Sequence, residues 1–234
     1  MKTPRNQGFT LIELLVVITI IAILASIAVP VYNGITIRAE QTKALSNAKQ
    51  IALGCKIFAI DNDGIFPDIA NGVPLSGAGV YAGGETGATE NFAALVDGKY
   101  LPSETIFWIS KERNGTTRLV KPDDDISAGQ GADFKKANVA WGYTSGADDS
   151  ANPSLPLVYT RSATAGVWPY DDTTAEGGVW RDKIISVSID YAGALQKIDA
   201  ASGTILIPKG TTTTNLFTEP SMWGSSMAYT INNN

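Results

Sequence analysis

The feature that most constrains this chain is an apolar stretch near its start, which covers residues 9–29 and carries a single charge, Glu13. A helix needs about 20 predominantly apolar residues to cross the hydrocarbon core of a bilayer. The short segment before the stretch has Lys2 and Arg5 as its only charges, and positive residues favour the cytoplasmic side. The sequence therefore predicts a membrane-spanning helix with a cytoplasmic N-terminus.

Glu13 is the residue that ordinary interpretations of this stretch leave unexplained. One interpretation is a signal anchor, a basic flank followed by an apolar span. Another is a secretory signal peptide cut near Ser26, Ile27 and Ala28, which resemble a small-x-small cleavage site. A carboxylate at mid-bilayer costs about 2.5–3.5 kcal/mol on insertion scales and less near the interface. Such a residue is a candidate functional site.

The residues from Gly8 onward, GFTLIELLVVI, resemble the class III signal of type IV prepilins and of type II secretion pseudopilins. The resemblance implies that a prepilin peptidase cuts the chain between Gly8 and Phe9 and that the new Phe9 amine is N-methylated. It also implies that Glu13 pairs with the Phe9 amine of a neighbouring subunit during assembly. This role agrees with the strong attraction between opposite charges in a low-dielectric environment.

Pro30 follows the apolar stretch. Proline lacks a backbone N–H and disfavours helix in the residue before it, so Pro30 could mark a helix end just outside the bilayer. In the family that the segment resembles, a proline near this point kinks the helix during filament packing, and Gly34 fits either case. We expect a kink, because helical periodicity resumes directly afterwards.

A single apolar stripe predicts that the continuation of the helix packs against a globular head. The apolar residues of the stripe are Leu45, Ala48, Ile51, Ala52, Cys55, Phe58 and Ala59. Cys55 is therefore expected to be a buried structural residue. The turn-forming residues 61–64 predict the helix end. They do not form an EF-hand loop, because Ile65 and Gly72 occupy positions that need acidic residues.

The remaining chain predicts an antiparallel β-sheet with long loops, since short β-favouring runs alternate with Gly, Thr, Asp and Asn. The predicted class is α+β with a pilin-like arrangement of one long N-terminal helix and a β-sheet head. Its segments are a leader (1–8), a transmembrane and assembly helix (9–31), an amphipathic continuation (32–60) and a periplasmic head (61–234). Strands are predicted at 106–109, 139–143, 157–160, 184–189 and 195–198, with a hairpin between the last two, and a short helix at 90–96.

Composition argues against several classes of function. The chain has no histidine, which excludes a Ser-His-Asp triad and makes an ordinary zinc site unexpected. No spacing of acidic residues singles out a catalytic carboxylate pair, so we expect no enzyme activity. The net charge of −5, without a basic stripe, predicts no nucleic-acid partner. Cys55 is the only cysteine; many type IV pilins close a C-terminal loop with two, so its isolation favours a pseudopilin.

Two groups of head residues are candidates for ligand binding. The five tryptophans could form a binding platform, but on separate elements they are expected to fill the core or an interface. Acidic residues at 123–125, 148–149 and 171–172 could supply oxygen ligands to a hard cation, or could be solvated loop charges. Major pseudopilins bind calcium in a head loop, so the resemblance keeps Ca²⁺ as the alternative to solvated loop charge, without assigning its ligands; no cofactor is otherwise expected.

The predicted function is that of a structural subunit of a type II secretion pseudopilus or a type IV pilus-like filament. The resemblance implies a single-pass inner-membrane protein with a periplasmic head, and a filament in the periplasm or at the cell surface. The implied partners are a prepilin peptidase, other pilin or pseudopilin subunits, an assembly ATPase and an inner-membrane platform. The alternative is a membrane-tethered periplasmic binding module that does not polymerise.

Overall fold

The computed structural model of the chain describes residues 9–68, 87–124, 135–162, 166–209, 211–217 and 230–232. The chain divides into two compact units, 1–42 and 43–234. The predicted leader, Asp125 and Trp223 lie outside the described residues.

Helix α1, Leu11–Asp61, begins in the first unit and continues into the second. Pro30 lies inside this helix, so the helix does not end there, and the kink stays a prediction. Two hydroxyl groups of the apolar stretch bond to the helix backbone: Thr19 donates to the Leu15 carbonyl, and Ser26 Oγ donates to the Ile23 carbonyl at 2.7 Å. A helix that satisfies its polar groups internally suits a membrane interior.

In the second unit, α1 buries one face, as the apolar stripe predicts. Its buried residues are Ala44, Asn47, Ala48, Ile51, Ala52, Gly54, Cys55, Phe58 and Ala59. Small residues allow close packing here, because a Cβ on Gly54 would lie 2.5 Å from Leu101 Cδ2. The helix ends at Asp61 as predicted, where Gly64, with φ +84°, donates its N–H to the Ala59 carbonyl at 2.8 Å.

The second unit is built on a five-stranded antiparallel sheet. Its strands are β3 (Trp141–Ser145), β4 (Pro156–Thr160), β5 (Lys183–Ser188), β6 (Gly193–Lys197) and β9 (Thr230–Asn232). Their spatial order is β6-β5-β4-β3-β9. Among the described residues, two small hairpins accompany it, β1–β2 (Arg113–Asn114 and Thr117–Arg118) and β7–β8 (Leu206–Lys209 and Thr212–Asn215). Helix α2 spans Ala88–Asp97. The predicted α+β class is confirmed.

Both faces of the central sheet are covered, which explains why every residue of β3 and β4 is buried. On one face, Tyr143 packs edge-on against Phe92 of α2, with ring centroids 5.3 Å apart. On the other face, Tyr159 packs against Phe217 with centroids 5.0 Å apart. The Tyr159 ring lies over Gly142, where a Cβ would come within 2.3 Å of it. The core therefore lies on both sides of β3 and β4.

Four predicted strands correspond to strands β3 to β6, with ends shifted by one or two residues, and the β5–β6 hairpin and helix α2 are confirmed. The strand predicted at 106–109 is wrong, because a 3-10 helix occupies Glu104–Phe107. Ser103 caps it by accepting the Thr105 N–H at 3.1 Å, and Asp124 accepts the Glu104 N–H at 3.1 Å. These two side chains favour a turn where the apolar pattern alone indicates a strand.

The expected core role of the tryptophans is confirmed for Trp141, Trp168 and Trp180, which are buried. Trp108 is half-buried against the core. These side chains fill the head interior rather than forming a surface platform.

Candidate functional site

The start of helix α1 carries a reciprocal cap formed by Thr10 and Glu13. Thr10 donates its backbone N–H and its Oγ1 hydroxyl to Glu13 Oε2, at 2.8 and 2.7 Å. The Glu13 N–H donates back to Thr10 Oγ1 at 3.3 Å. This is a capping box, in which a threonine and a glutamate three residues later satisfy backbone groups that a helix start leaves unpaired.

Thr10 has no predicted role from the sequence, although the pattern threonine-x-x-glutamate before an apolar run is typical of a capping box. It changes the interpretation of Glu13. The carboxylate has a local structural use, so an unusual charge at this point is not by itself evidence of assembly. Glu13 nevertheless keeps one oxygen available, because Oε1 accepts no hydrogen bond from the residues that the structure describes.

The helix beyond Glu13 exposes its apolar side chains. Leu14 is 53% exposed and Ile21 is 59% exposed. Over the described residues, α1 is the one helix long and apolar enough to cross a membrane, and none of its most apolar window is buried in the protein. A signal sequence near an N-terminus passes the same test, whereas the core helix of a soluble domain would be mostly buried.

The structure brings Phe9 and Glu13 to the same end of α1, and it places Pro30 further along the helix. Gly34 is surrounded by open space, with nothing within 4 Å of an added Cβ. Gly8 lies outside the described residues. The cleavage position and the roles of Phe9, Glu13 and Pro30 therefore stay predictions.

Three of the acidic head residues that could supply cation ligands have partners within the head. Asp148 accepts the Ser150 N–H at 2.9 Å, Asp172 accepts the Thr174 N–H at 2.8 Å, and Asp149 pairs with Lys56 at 3.5 Å. Within the described part of the chain, no group of three or more His, Cys, Asp or Glu residues could hold a metal ion. A Ca²⁺ site in the head stays a prediction.

Cys55 is fully buried in the second unit. Burial is the largest cause that shifts the pKa of its thiol, and it raises that pKa; the neighbouring Tyr143 side chain acts in the opposite direction. A thiol that stays protonated is a poor nucleophile. The predicted structural role of Cys55 is confirmed by this burial.

Comparison with known proteins identifies the N-terminal motif. The family model described as the prokaryotic N-terminal methylation motif matches residues 3–29. The chain is 44% identical over 68 residues to the type IV major pilin protein PilA of Myxococcus xanthus (strain DK1622), covering 29% of this chain and 30% of that protein. It is 40% identical over 63 residues to the type II secretion system core protein G of Aeromonas hydrophila, covering 27% and 44%.

A further relative is the type IV major fimbrial protein FimA of Dichelobacter nodosus (strain VCS1703A), with 41% identity over 72 residues, or 31% of this chain and 42% of that protein. The chain spans less than half the length of each of these curated relatives. No solved structure matches it. The predicted resemblance to type IV prepilins and type II secretion pseudopilins is confirmed by the motif and by relatives of both kinds.

Proposed function

We propose that this chain is a structural subunit, of pilin or pseudopilin type, that is cleaved between Gly8 and Phe9, N-methylated on Phe9 and polymerised into a filament. One observation carries the proposal. The methylation motif matched at residues 3–29 coincides with a helix that exposes its apolar surface and has Glu13 in its first turn. The filament is a type II secretion pseudopilus or a type IV pilus-like fibre, since relatives of both kinds match.

Before assembly, the subunit is held in the inner membrane by one pass of α1, with a cytoplasmic N-terminus and a periplasmic head. A prepilin peptidase processes it, and an assembly ATPase with an inner-membrane platform moves it into the filament. The chain's own contribution is assembly rather than catalysis. Apolar helices leave the bilayer and pack side by side, so their exposed surface stays away from water throughout.

In this mechanism, Glu13 sets the axial position of each subunit relative to its neighbour. Its Oε2 is used within the helix cap, and its Oε1 is open to a donor from another chain. The Phe9 amine of a neighbouring subunit is such a donor once the leader is removed. An unpaired carboxylate in an apolar bundle is costly, so only the axial step that brings the two charges together is favoured.

The second unit adds an apolar surface of its own on the exposed side of α1. Leu53, Ile57 and Ile60 recur at i, i+4 and i+7, and they are 51, 42 and 74% exposed. This spacing places them on one helix face, opposite residues buried in the head such as Ile51 and Phe58. The exposed stripe suits packing against another subunit.

The first test is the intact mass and N-terminal sequence of the membrane-extracted protein. The proposal expects a chain that starts at N-methylated Phe9. A start at Met1, or a cut after Ala28, would contradict it and favour a tethered or secreted binding domain that does not polymerise.

A second test separates the charge of Glu13 from its capping role. Glu13→Gln keeps an oxygen that can accept from Thr10 but removes the charge, whereas Thr10→Ala removes the hydroxyl of the cap and keeps the charge. Both variants should be processed, but filament yield should fall strongly only for Glu13→Gln. Wild-type yield from Glu13→Gln, or equal loss from both variants, would contradict the charge-pairing role.

A further inference from the structure

The head contains a buried cluster of charged groups that filament assembly does not use. Arg161 follows β4 and is 0% exposed. Its Nε donates to Glu176 Oε1 at 2.7 Å, its Nη1 donates to the Val139 carbonyl at 2.6 Å, and its Nη2 donates to Asn114 Oδ1 at 3.3 Å. The guanidinium is thus directed at Glu176 and at groups around the β1–β2 hairpin.

Glu112, just before β1, is the second carboxylate of the cluster and is also 0% exposed. Its Oε1 accepts the Arg113 N–H at 2.8 Å and the Gly177 N–H at 2.9 Å. Its Oε2 is buried and has no hydrogen-bond partner among the described residues. The approach to Gly177 is close, because a Cβ there would lie 2.5 Å from the Arg161 carbonyl oxygen.

The hydrogen bonds of the cluster point to a bound proton. Glu112 is fully buried, and its carboxyl group accepts no hydrogen bond from the Arg161 guanidinium. An isolated buried charge is strongly disfavoured. Glu176 contacts the guanidinium directly, whereas Glu112 has one oxygen with two N–H donors and one oxygen with none. This arrangement fits a neutral acid with its proton on Oε2.

The other charges around Glu112 do not alter this assignment. Burial is the largest cause that raises its pKa, to about 7; two backbone N–H groups and Arg161 act against the rise, and Glu176 adds to it. On the same element, Arg113 donates its Nη1 to the Thr116 carbonyl at 2.7 Å, and its buried Nε makes no hydrogen bond to Glu112.

The cluster joins three separate parts of the head. Glu112 holds the Gly177 N–H of the loop before β5, and its carbonyl accepts the Leu119 N–H after β2 at 2.9 Å. Glu176 Oε2 accepts the Gly115 N–H from the tip of the β1–β2 hairpin at 3.1 Å. A charged Glu112 would favour water over this site, and its movement outward would release the loop and the hairpin together.

We propose that the folded head holds one proton on Glu112 Oε2 and that loss of this proton loosens the attachment of the β1–β2 hairpin and the 166–182 loop to the sheet. The cluster thus attaches the hairpin and the loop to the sheet in a pH-dependent way. This inference is independent of the proposed filament function, because it concerns the head of a single subunit.

The direction of the pH effect follows from proton linkage. The folded state binds the Glu112 proton more tightly than the unfolded state, because the pKa of Glu112 is raised from 4.5 to about 7 on folding. The stabilisation that the bound proton gives the head is therefore fully present below pH 4.5 and is lost as pH rises through about 7. The test is hydrogen exchange of the full chain in detergent micelles, followed at the Gly177 and Leu119 amides. After correction for intrinsic exchange, their protection factors should fall by up to about tenfold per pH unit between these values.

Two variants decide the assignment. Glu112→Gln removes the titrating group while keeping an oxygen for the Arg113 and Gly177 amides. It should abolish the decrease in protection factors with rising pH. Asp63→Asn removes an exposed carboxylate and should leave the fall unchanged. An equal fall in wild type and Glu112→Gln would overturn the proposal. If Glu112→Gln does not fold, the wild type still decides, because protection that stays constant across this pH range also overturns it.

Discussion

At the scale of single residues, Thr10 is the side chain with the clearest measurable role in helix α1. It exchanges three hydrogen bonds with Glu13 at the helix start. Thr10→Ala should destabilise the first turn by about 1 kcal/mol, the usual cost of losing such a cap. Hydrogen exchange of the Glu13 and Leu14 amides, which both donate to Thr10, should speed up by about fivefold in a lipid bilayer. Thr10→Ser should exchange like the wild type.

Cys55 offers a second test at this scale. Because the thiol is fully buried and burial raises its pKa, the folded protein should react with maleimide at least about a hundredfold more slowly than the denatured chain. Ile60→Cys, at a position that is 74% exposed, should label rapidly in the folded protein and serves as the control. Rapid labelling of Cys55 itself would contradict its place in the core.

Residue roles were predictable from the sequence only where partners are close along the chain. The pairing of Thr10 with Glu13 is a local motif and was open to recognition. The buried hydrogen bond between Glu112 and Gly177 joins residues far apart in the chain. No local sequence pattern predicts it. Only the folded sheet brings Arg161 and Glu176 beside Glu112.

At the scale of elements, strands were predictable where apolar and β-branched residues concentrate. Strands β4 and β5 combine these residues with extensive burial, so pattern and packing agree. Strand β8 is threonine-rich and exposed or half-buried, and its pairing with β7 depends on tertiary context. The error at 106–109 has the opposite origin, because Ser103 and Asp124 stabilise a 3-10 turn under an apolar pattern.

Substitutions on the two faces of helix α1 in the second unit should have different effects. Phe58 is buried and packs edge-on against Tyr100, with centroids 5.3 Å apart. Phe58→Ala should lower the free energy of unfolding of the head by about 3–5 kcal/mol. Ile60→Ala, on the exposed face, should change it by less than about 0.5 kcal/mol while reducing filament yield.

Denaturant unfolding followed by tryptophan fluorescence measures the stability of the head, because all five tryptophans lie in the second unit. Filaments sheared from cells measure assembly. An Ile60→Ala variant that destabilises the head as much as Phe58→Ala would show that this face is not free for another subunit.

At the scale of the whole molecule, the two units differ in where their apolar surface lies. The second unit buries a continuous core around β3 and β4. The first unit leaves its apolar helix surface exposed, and contiguous apolar surface of this kind marks a membrane or protein interface. A bilayer and the proposed filament of helices would both cover this apolar surface.

The head as a whole should be most stable in mild acid, because two sets of carboxyl groups titrate with opposite effects. Hydrogen bonds from Thr174, Ser188 and Ser202 are the largest causes that lower the pKa of Asp172, Asp190 and Asp199 below the ordinary 3.8. Their contribution is present above that value and is lost as pH falls below it. Glu112 acts in the opposite sense, since its pKa is raised to about 7 and its contribution is lost as pH rises from 4.5.

The thermal midpoint of the head, followed by tryptophan fluorescence, should therefore pass through a maximum near pH 4 and decline on both sides. The three aspartates are solvent-exposed, so the decline in acid should be the shallower one. Replacing all three with asparagine keeps the turn-forming oxygens and should flatten the acid side alone, while Glu112→Gln should flatten the neutral side alone. A profile whose two sides respond to the same variant would show that one shared group, rather than two separate sets, controls the stability of the head.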